Sequence, residues 1–222
     1  MVMIITKYGA LLLSAMGQTI ILALCGLFFA CIIGVIIGLM SVVENRACNV
    51  IAQIFVNIIR GVPMIVLAMF VFFGVPYFFK NMLGQSVTLS ALTAGTICLS
   101  LNCGAYMGEI IRGGIEAVDK GQMEAARSLG MPYWRSMRKV VLPQAIRIMI
   151  PSIINQFIIT LKDTSILSVI GFPELVNTAK NVVANTFMSF QTWGIVAIMY
   201  LIVITILQKV AKVVERRLNR GR

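Results

Sequence analysis

The sequence contains no histidine. That removes the usual general base near neutral pH and the commonest metal ligand. No glycine-rich loop closes on Lys-Ser or Lys-Thr, so there is no nucleotide-phosphate cradle. Any ATP used by this protein is expected on another chain, with its Mg, and no cofactor is expected in this one. The five cysteines, Cys25, Cys31, Cys48, Cys98 and Cys103, show no CxxC spacing, and most lie in apolar runs. They read as small buried side chains rather than a metal site or a disulfide. A cleavable leader is also missing from the pattern. Lys7 is the only early basic residue, and the apolar run continues past Leu39 without a clear cleavage site, so the N-terminal segment is expected to be retained. Charged residues make up only 12% of the chain, against about a quarter in a soluble domain.

What fills the chain instead is apolar. Hydrophobic residues reach 59% and the mean hydropathy is +0.94. The class is all-α, a polytopic helical membrane protein of about five transmembrane helices, and 222 residues leave room for about five or six spans of ~20 residues plus one sizeable loop. The net charge of +11 could suggest nucleic acid. The basic residues, however, sit between apolar spans and at their ends, where they set orientation and meet anionic headgroups. Nucleic acid is therefore rejected as a partner, and the lipid bilayer takes its place.

The first span is expected within Met16–Val43. Gly26, Ala30, Gly34 and Gly38 recur at four-residue spacing, which puts small residues on one helix stripe where a neighbouring backbone can approach. Glu44, Asn45 and Arg46 form a polar turn. The second span, Val50–Val75, is interrupted by Arg60, Gly61 and Pro63. Arg60 either snorkels at the membrane edge or faces a wet interior. Pro76–Ser86 reads as a loop. The third span, Leu89–Ile111, places Thr93, Thr96, Ser100 and Gly104 on one face, with Asn102 and Glu109 further along. Such a stripe faces protein or water, either as helix-to-helix hydrogen bonding or as a pathway lining.

A fourth span is expected from Arg147 to Gly171. Asn155, Ile159, Lys162 and Ile166 share a face there, with Asp163 beside Lys162; the two charges either neutralise each other structurally or face a pathway. Phe172–Gln191 reads as an outer segment. Trp193 anchors a fifth span ending near Leu207, followed by a basic tail of Lys209, Lys212, Arg216, Arg217, Arg220 and Arg222. With the N-terminus outside and the C-terminus cytoplasmic, Arg46, the basic loop and the tail are inside. Only Lys7, Lys80 and Lys180 lie outside.

The stretch Gly113–Pro143 stands apart. It carries Lys120, Arg127, Arg135, Arg138 and Lys139 and cannot span a bilayer. Asp119 and Gln122 make a capping-box pattern, Gly130 is a natural helix stop, Pro132 suits the start of a second short helix, and Pro143 marks a boundary. The prediction is a structured knob on the cytoplasmic side. Within it, Glu124, Ala125 and Ala126 are followed after three residues by Gly130, and nine residues later by Val140, Val141, Leu142 and Pro143. This resembles the EAA motif of ABC importer permeases, with Val140 in the position usually held by isoleucine. RGVP at Arg60–Pro63, GAYMGEIIRGGI at Gly104–Ile115, LPQAIR and LKDTSILSVI are similar to segments of the polar amino acid permease family, which imports glutamine, histidine, arginine and glutamate.

The resemblance implies a type I ABC importer permease fold: one transmembrane domain over residues 1–222, with a coupling loop at 113–143. It implies a second permease chain, identical or related, two ATP-binding subunits, and an extracytoplasmic amino acid binding protein, all at a bacterial plasma membrane. The chain itself would be non-catalytic. Coupling residues would be Glu124, Ala125, Ala126, Arg127, Gly130, Leu142 and Pro143. Pathway candidates are Arg60, Ser100, Glu109, Asn155, Lys162 and Asp163, because a zwitterion needs partners for both charges once desolvated. Two other classes compete: a stand-alone ion-coupled secondary transporter using Glu109 or Asp163, and a structural assembly factor. The first meets no evident internal repeat and leaves the knob without a role; the second does not explain the polar third and fourth spans.

Overall fold

A computed structural model describes residues 2–219, with side chains to Arg216. The basic tail at Arg217, Arg220 and Arg222 lies outside the described side chains. Among the described residues every regular element is a helix. Helix α1 runs Val2–Met40, α2 Arg46–Gly61, α3 Met64–Met69, α4 Val75–Leu83 and α5 Ala91–Glu116. After them come α6 Lys120–Ser128, α7 Tyr133–Ser136, α8 Leu142–Asp163, α9 Leu175–Thr186 and α10 Ser189–Asn219.

The stripe of small residues on α1 is the spine of the bundle. Gly26, Ala30, Gly34 and Gly38 are all buried. A Cβ on Gly26, Gly34 or Gly38 would meet Leu99, Met107 or Ile111 of α5 at 2.5–2.7 Å. The large residues of α5 thus fill the gaps left by the small ones of α1. The exchange is mutual, since Gly104 and Gly108 of α5 receive Ile33 and Ile37. The first three pairs keep a constant offset of 73 residues and the other two one of 71, so α1 and α5 run parallel. One return pass must lie between them, and Arg46–Leu83 supplies it. Helix α8 is antiparallel to α5: Gly114 faces Ala145 and Met149, while Asn102 shares a cavity with Gln156 and Asp163. Tyr200 reaches Glu174 at 3.4 Å, and Gln208 and Ala211 lie beside Asn155 and Ile158, so α10 again runs opposite to α8. The knob, the end of α1 and the end of α10 therefore share one end of the bundle. The N-terminus, the 84–90 loop and α9 share the other.

Several boundaries differ from the sequence-based expectation. Helix α1 begins at Val2 rather than near Met16, because Ile4, Leu12, Ala15 and Met16 pack on Leu175, Ala179, Val182 and Val196. At 39 residues it is about 58 Å long, nearly twice the ~30 Å hydrocarbon core. The expected second span is two helices. Val62 is extended (ψ 129), and the chain restarts at Met64, since a proline disfavours helix in the residue before it. Pro76 lies inside a helix rather than opening a loop; the turn ends at Gly84, which has φ +64.

Pro143 is likewise no boundary. The chain is helical from Tyr133 to Ile170. The reason is a π-turn at Met137–Val141, in which Leu142 N–H reaches back to Met137. Phe70–Gly74 does the same ahead of Pro76. A proline ring clashes with the carbonyl four residues back and has no N–H to offer it. Widening the preceding turn by one residue relieves the clash and lets the helix continue.

Candidate functional site

The knob is built from α6 and α7. Asp119 starts α6 by accepting from Gly121 N–H at 2.6 Å. The reciprocal half of the capping box is absent: Gln122 contributes its backbone N–H to the Asp119 carbonyl, not its side chain. At the far end Gly130 takes φ +79, and Met131 N–H closes on the Ala126 carbonyl at 3.2 Å. A residue with a Cβ is strained in that left-handed turn. The helix is then held by one face. Ala126 is buried, whereas Glu124, Ala125, Arg127 and Leu129 are exposed, Leu129 at 83%. The two alanines therefore divide their work. Ala126 allows α6 to seat on the molecule, and Ala125 lies on the free face.

The second half of the motif is the mount. Val141 is buried with Ile111, Ile115, Val118 and Ala145, and Met123, Met137 and Leu142 pack around that cluster. Leu142 is half-buried and Pro143 exposed. Burying one such branched side chain stabilises by about 1.5–3 kcal/mol, so the knob is fixed to α5 and α8 rather than hanging from flexible loops.

The second feature is a polar cavity of about 390 Å³ in the bundle. It forms where two chain breaks meet. One break is Gly61–Pro63; the other is the change from α8 to a tighter 3₁₀ segment at Thr164–Ile170. Arg60, Pro63 and Met64 come from the first, Gln156, Ile159 and Asp163 from the second, and Asn102 and Tyr106 from α5. Arg60 is shared. Its Nη1 lies 3.0 Å from Glu109 Oε2, and its guanidinium stands 4.8 Å over the Tyr106 ring. Glu109 is held again by Arg112 at 3.1 Å, and Arg112 by Glu116 at 3.0 Å. Among the described residues Asp163 forms no ion pair, though it lines the same cavity. The wall thus offers one cation already partnered and one anion without an ionic partner.

Of the six pathway candidates, Arg60 and Asp163 line this cavity and Glu109 stands behind Arg60. The other three lie elsewhere. Ser100 donates to the Gly26 and Thr96 carbonyls at the α1–α5 seam. Asn155 lies in a smaller cleft with Gln208, Lys212 and Glu215. Lys162 is exposed and does not bridge to Asp163. The helical face of α8 that lines the cavity is 156–159–163–166 rather than 155–159–162–166. Sequence reasoning missed Gln156 for that reason, and it also passed over Tyr106 on α5. The signal was present: Asn102, Tyr106 and Glu109 repeat at helical spacing.

Residues 30–220 match the model of the family described as binding-protein-dependent transport system inner membrane component. The glutamine transport system permease protein GlnP of Escherichia coli (strain K12) is 34% identical over 209 residues, 94% of this chain and 93% of that protein. The probable amino-acid ABC transporter permease protein PatM of Vibrio harveyi is 35% identical over 211 residues, 95% and 93% of the two chains. Among solved structures, an amino acid ABC transporter crystallised with histidines superposes with a TM-score of 0.87 at 35% identity, covering 96% of each chain. The inward-facing MetNI methionine ABC transporter shares the fold at a TM-score of 0.77 and 19% identity. The apolar spans and this kinship make the protein a multi-pass component of the bacterial plasma membrane. The chain belongs to the binding-protein-dependent transport system inner membrane component family, and within it to the polar amino acid ABC permeases.

Proposed function

We propose that this permease passes a polar amino acid of the glutamine, arginine, histidine and glutamate class through the Arg60–Asp163 cavity, driven by ATP hydrolysis on partner subunits that grip the α6 knob. The observation that carries the reading is the pairing of a charged cavity with a rigidly mounted knob at one end of the bundle. Positive charge concentrates at the knob end, with Arg46, Lys120, Arg127, Arg135, Arg138, Lys139, Lys209 and Lys212, which supports a cytoplasmic knob and an outer N-terminus. Two ATP-binding subunits would engage the exposed face around Glu124, Ala125, Arg127 and Leu129. Their closure would move the knob, and the continuous helix from Tyr133 to Ile170 would carry that movement to Asp163 as rigid-body switching. An extracytoplasmic binding protein would deliver substrate to the opposite end.

In the cavity the substrate ammonium meets Asp163 and its carboxylate competes with Glu109 for Arg60, since a desolvated zwitterion needs both. Lys162 and Asn155 are exposed on a span, which is costly against lipid. A second permease chain covering that face would remove the cost. The glutamine system named for the similar Escherichia coli protein makes glutamine the first amino acid to test.

The test is purification from the host membrane, identification of the co-purifying subunits, and reconstitution with a panel of amino acids. Expected is ATP hydrolysis stimulated by one member of the class, with uptake in step. Asp163→Ala is expected to abolish uptake while the complex stays assembled. Uptake driven by an ion gradient without ATP would overturn the reading.

A further inference from the structure

Beside the knob, the end of α1 leaves a hollow of about 400 Å³. Leu39 and Val42 form one wall, and Tyr133, Trp134, Met137 and Arg138 form the other. It lies at the C-terminal ends of α1 and α5, where the apolar run of α1 gives way to the polar turn at Glu44–Arg46. Apart from the Arg138 guanidinium, the Tyr133 hydroxyl and the Trp134 indole N–H, these side chains offer nothing for water to bind, and a largely apolar hollow is a poor site for water. Leu39 is 40% exposed and Trp134 70% exposed, so the hollow is reached from the side. A tryptophan and a tyrosine at this level suit the headgroup boundary. No acidic side chain lines the hollow, and exposed Arg135 and Lys139 flank Arg138 in sequence.

We propose that this hollow holds an acyl chain of an anionic phospholipid from the adjoining leaflet, with Arg138 on its phosphate. The apolar wall selects a hydrocarbon tail, and the cationic rim selects the charge of its headgroup. Met137 and Arg138 belong to the π-turn that joins knob to α8, so the bound lipid braces that joint. The inference needs only the membrane placement and is independent of which solute is carried.

Tryptophan fluorescence tests it directly, because the chain has only two tryptophans. The whole transporter, ATP-binding partner included, is reconstituted in phosphatidylcholine with a small fraction of brominated phosphatidylglycerol or brominated phosphatidylcholine. The signal of Trp134 is the difference between Trp193→Phe and the double variant Trp134→Phe/Trp193→Phe. Brominated phosphatidylglycerol is expected to quench Trp134 about fivefold more effectively than brominated phosphatidylcholine, the ratio one surface cation supplies. Arg138→Gln should bring the ratio near one, whereas Lys212→Gln on α10 should leave it unchanged. Val42→Phe, which narrows the hollow without altering charge, should reduce quenching by both lipids. Equal quenching by the two lipids, or an unchanged signal in Val42→Phe, overturns the proposal. Absence of quenching by either lipid also overturns it, because the hollow would then be covered by protein such as the ATP-binding subunit. Each of these outcomes leaves amino acid uptake free to proceed.

Discussion

Gly130 is a position where a single side chain decides a conformation. Its φ of +79 costs a residue with a Cβ about 1–2 kcal/mol, although nothing within 4 Å would obstruct the Cβ itself. Gly130→Asp is expected to abolish amino-acid-stimulated ATP hydrolysis by adding charge to a disturbed turn. Gly130→Asn, which tolerates the left-handed region better, should retain more of it than Gly130→Ala. The comparison of stimulated hydrolysis among the three variants checks this. Glu174 poses the opposite problem. It is fully buried, yet its carboxylate accepts from Val176 N–H at 2.7 Å and from Asn177 N–H, and meets the Tyr200 hydroxyl. Glu174→Ala strands two donors at the start of α9, each costing about 1–3 kcal/mol. A clear fall in the thermal unfolding temperature of the purified complex is expected, and a smaller one for Glu174→Gln, which keeps one acceptor oxygen.

Between helices, the α1–α5 seam makes the sharpest contrast. Gly34→Ala brings a Cβ to 2.5 Å from Met107 Cβ, whereas a Cβ on Gly17 meets nothing within 4 Å. The first is expected to destabilise by about 1–3 kcal/mol through overpacking; the second is expected to be neutral or stabilising, since alanine is the better helix former. Thermal unfolding in one detergent would separate them. This seam was legible in the sequence, because four-residue spacing of small residues has a direct geometric meaning. So was the knob, whose cap and stop residues act locally. The cavity was legible only in part. Arg60 and Asp163 stand out as charges in apolar runs, but the face of α8 that turns inward is set by its packing against α5, and composition does not reveal it. The joint at Pro143 was illegible for a different reason. A proline after an apolar run reads as a stop, and only three-dimensional packing selects the wider turn that lets the helix continue.

Over the whole molecule, the parallel pairing of α1 with α5 divides the loops between two ends, and that division can be tested without knowing the substrate. With the five native cysteines replaced, a cysteine at Lys7 or Gln85 should react with a membrane-impermeant thiol reagent added to intact cells. One at Lys139 or Lys212 should react only after the membrane is opened. The reverse result would invert the assigned orientation. The helix from Tyr133 to Ile170 then links both ends of the machine like a shaft carrying two marks, the knob at one and Asp163 at the other. The surplus residue in its winding at Met137–Val141 sets the phase between those marks. Removing it would turn Asp163 by about 100° relative to the knob, so a deletion far from the cavity would empty that wall of its free anion while leaving every cavity residue in the sequence.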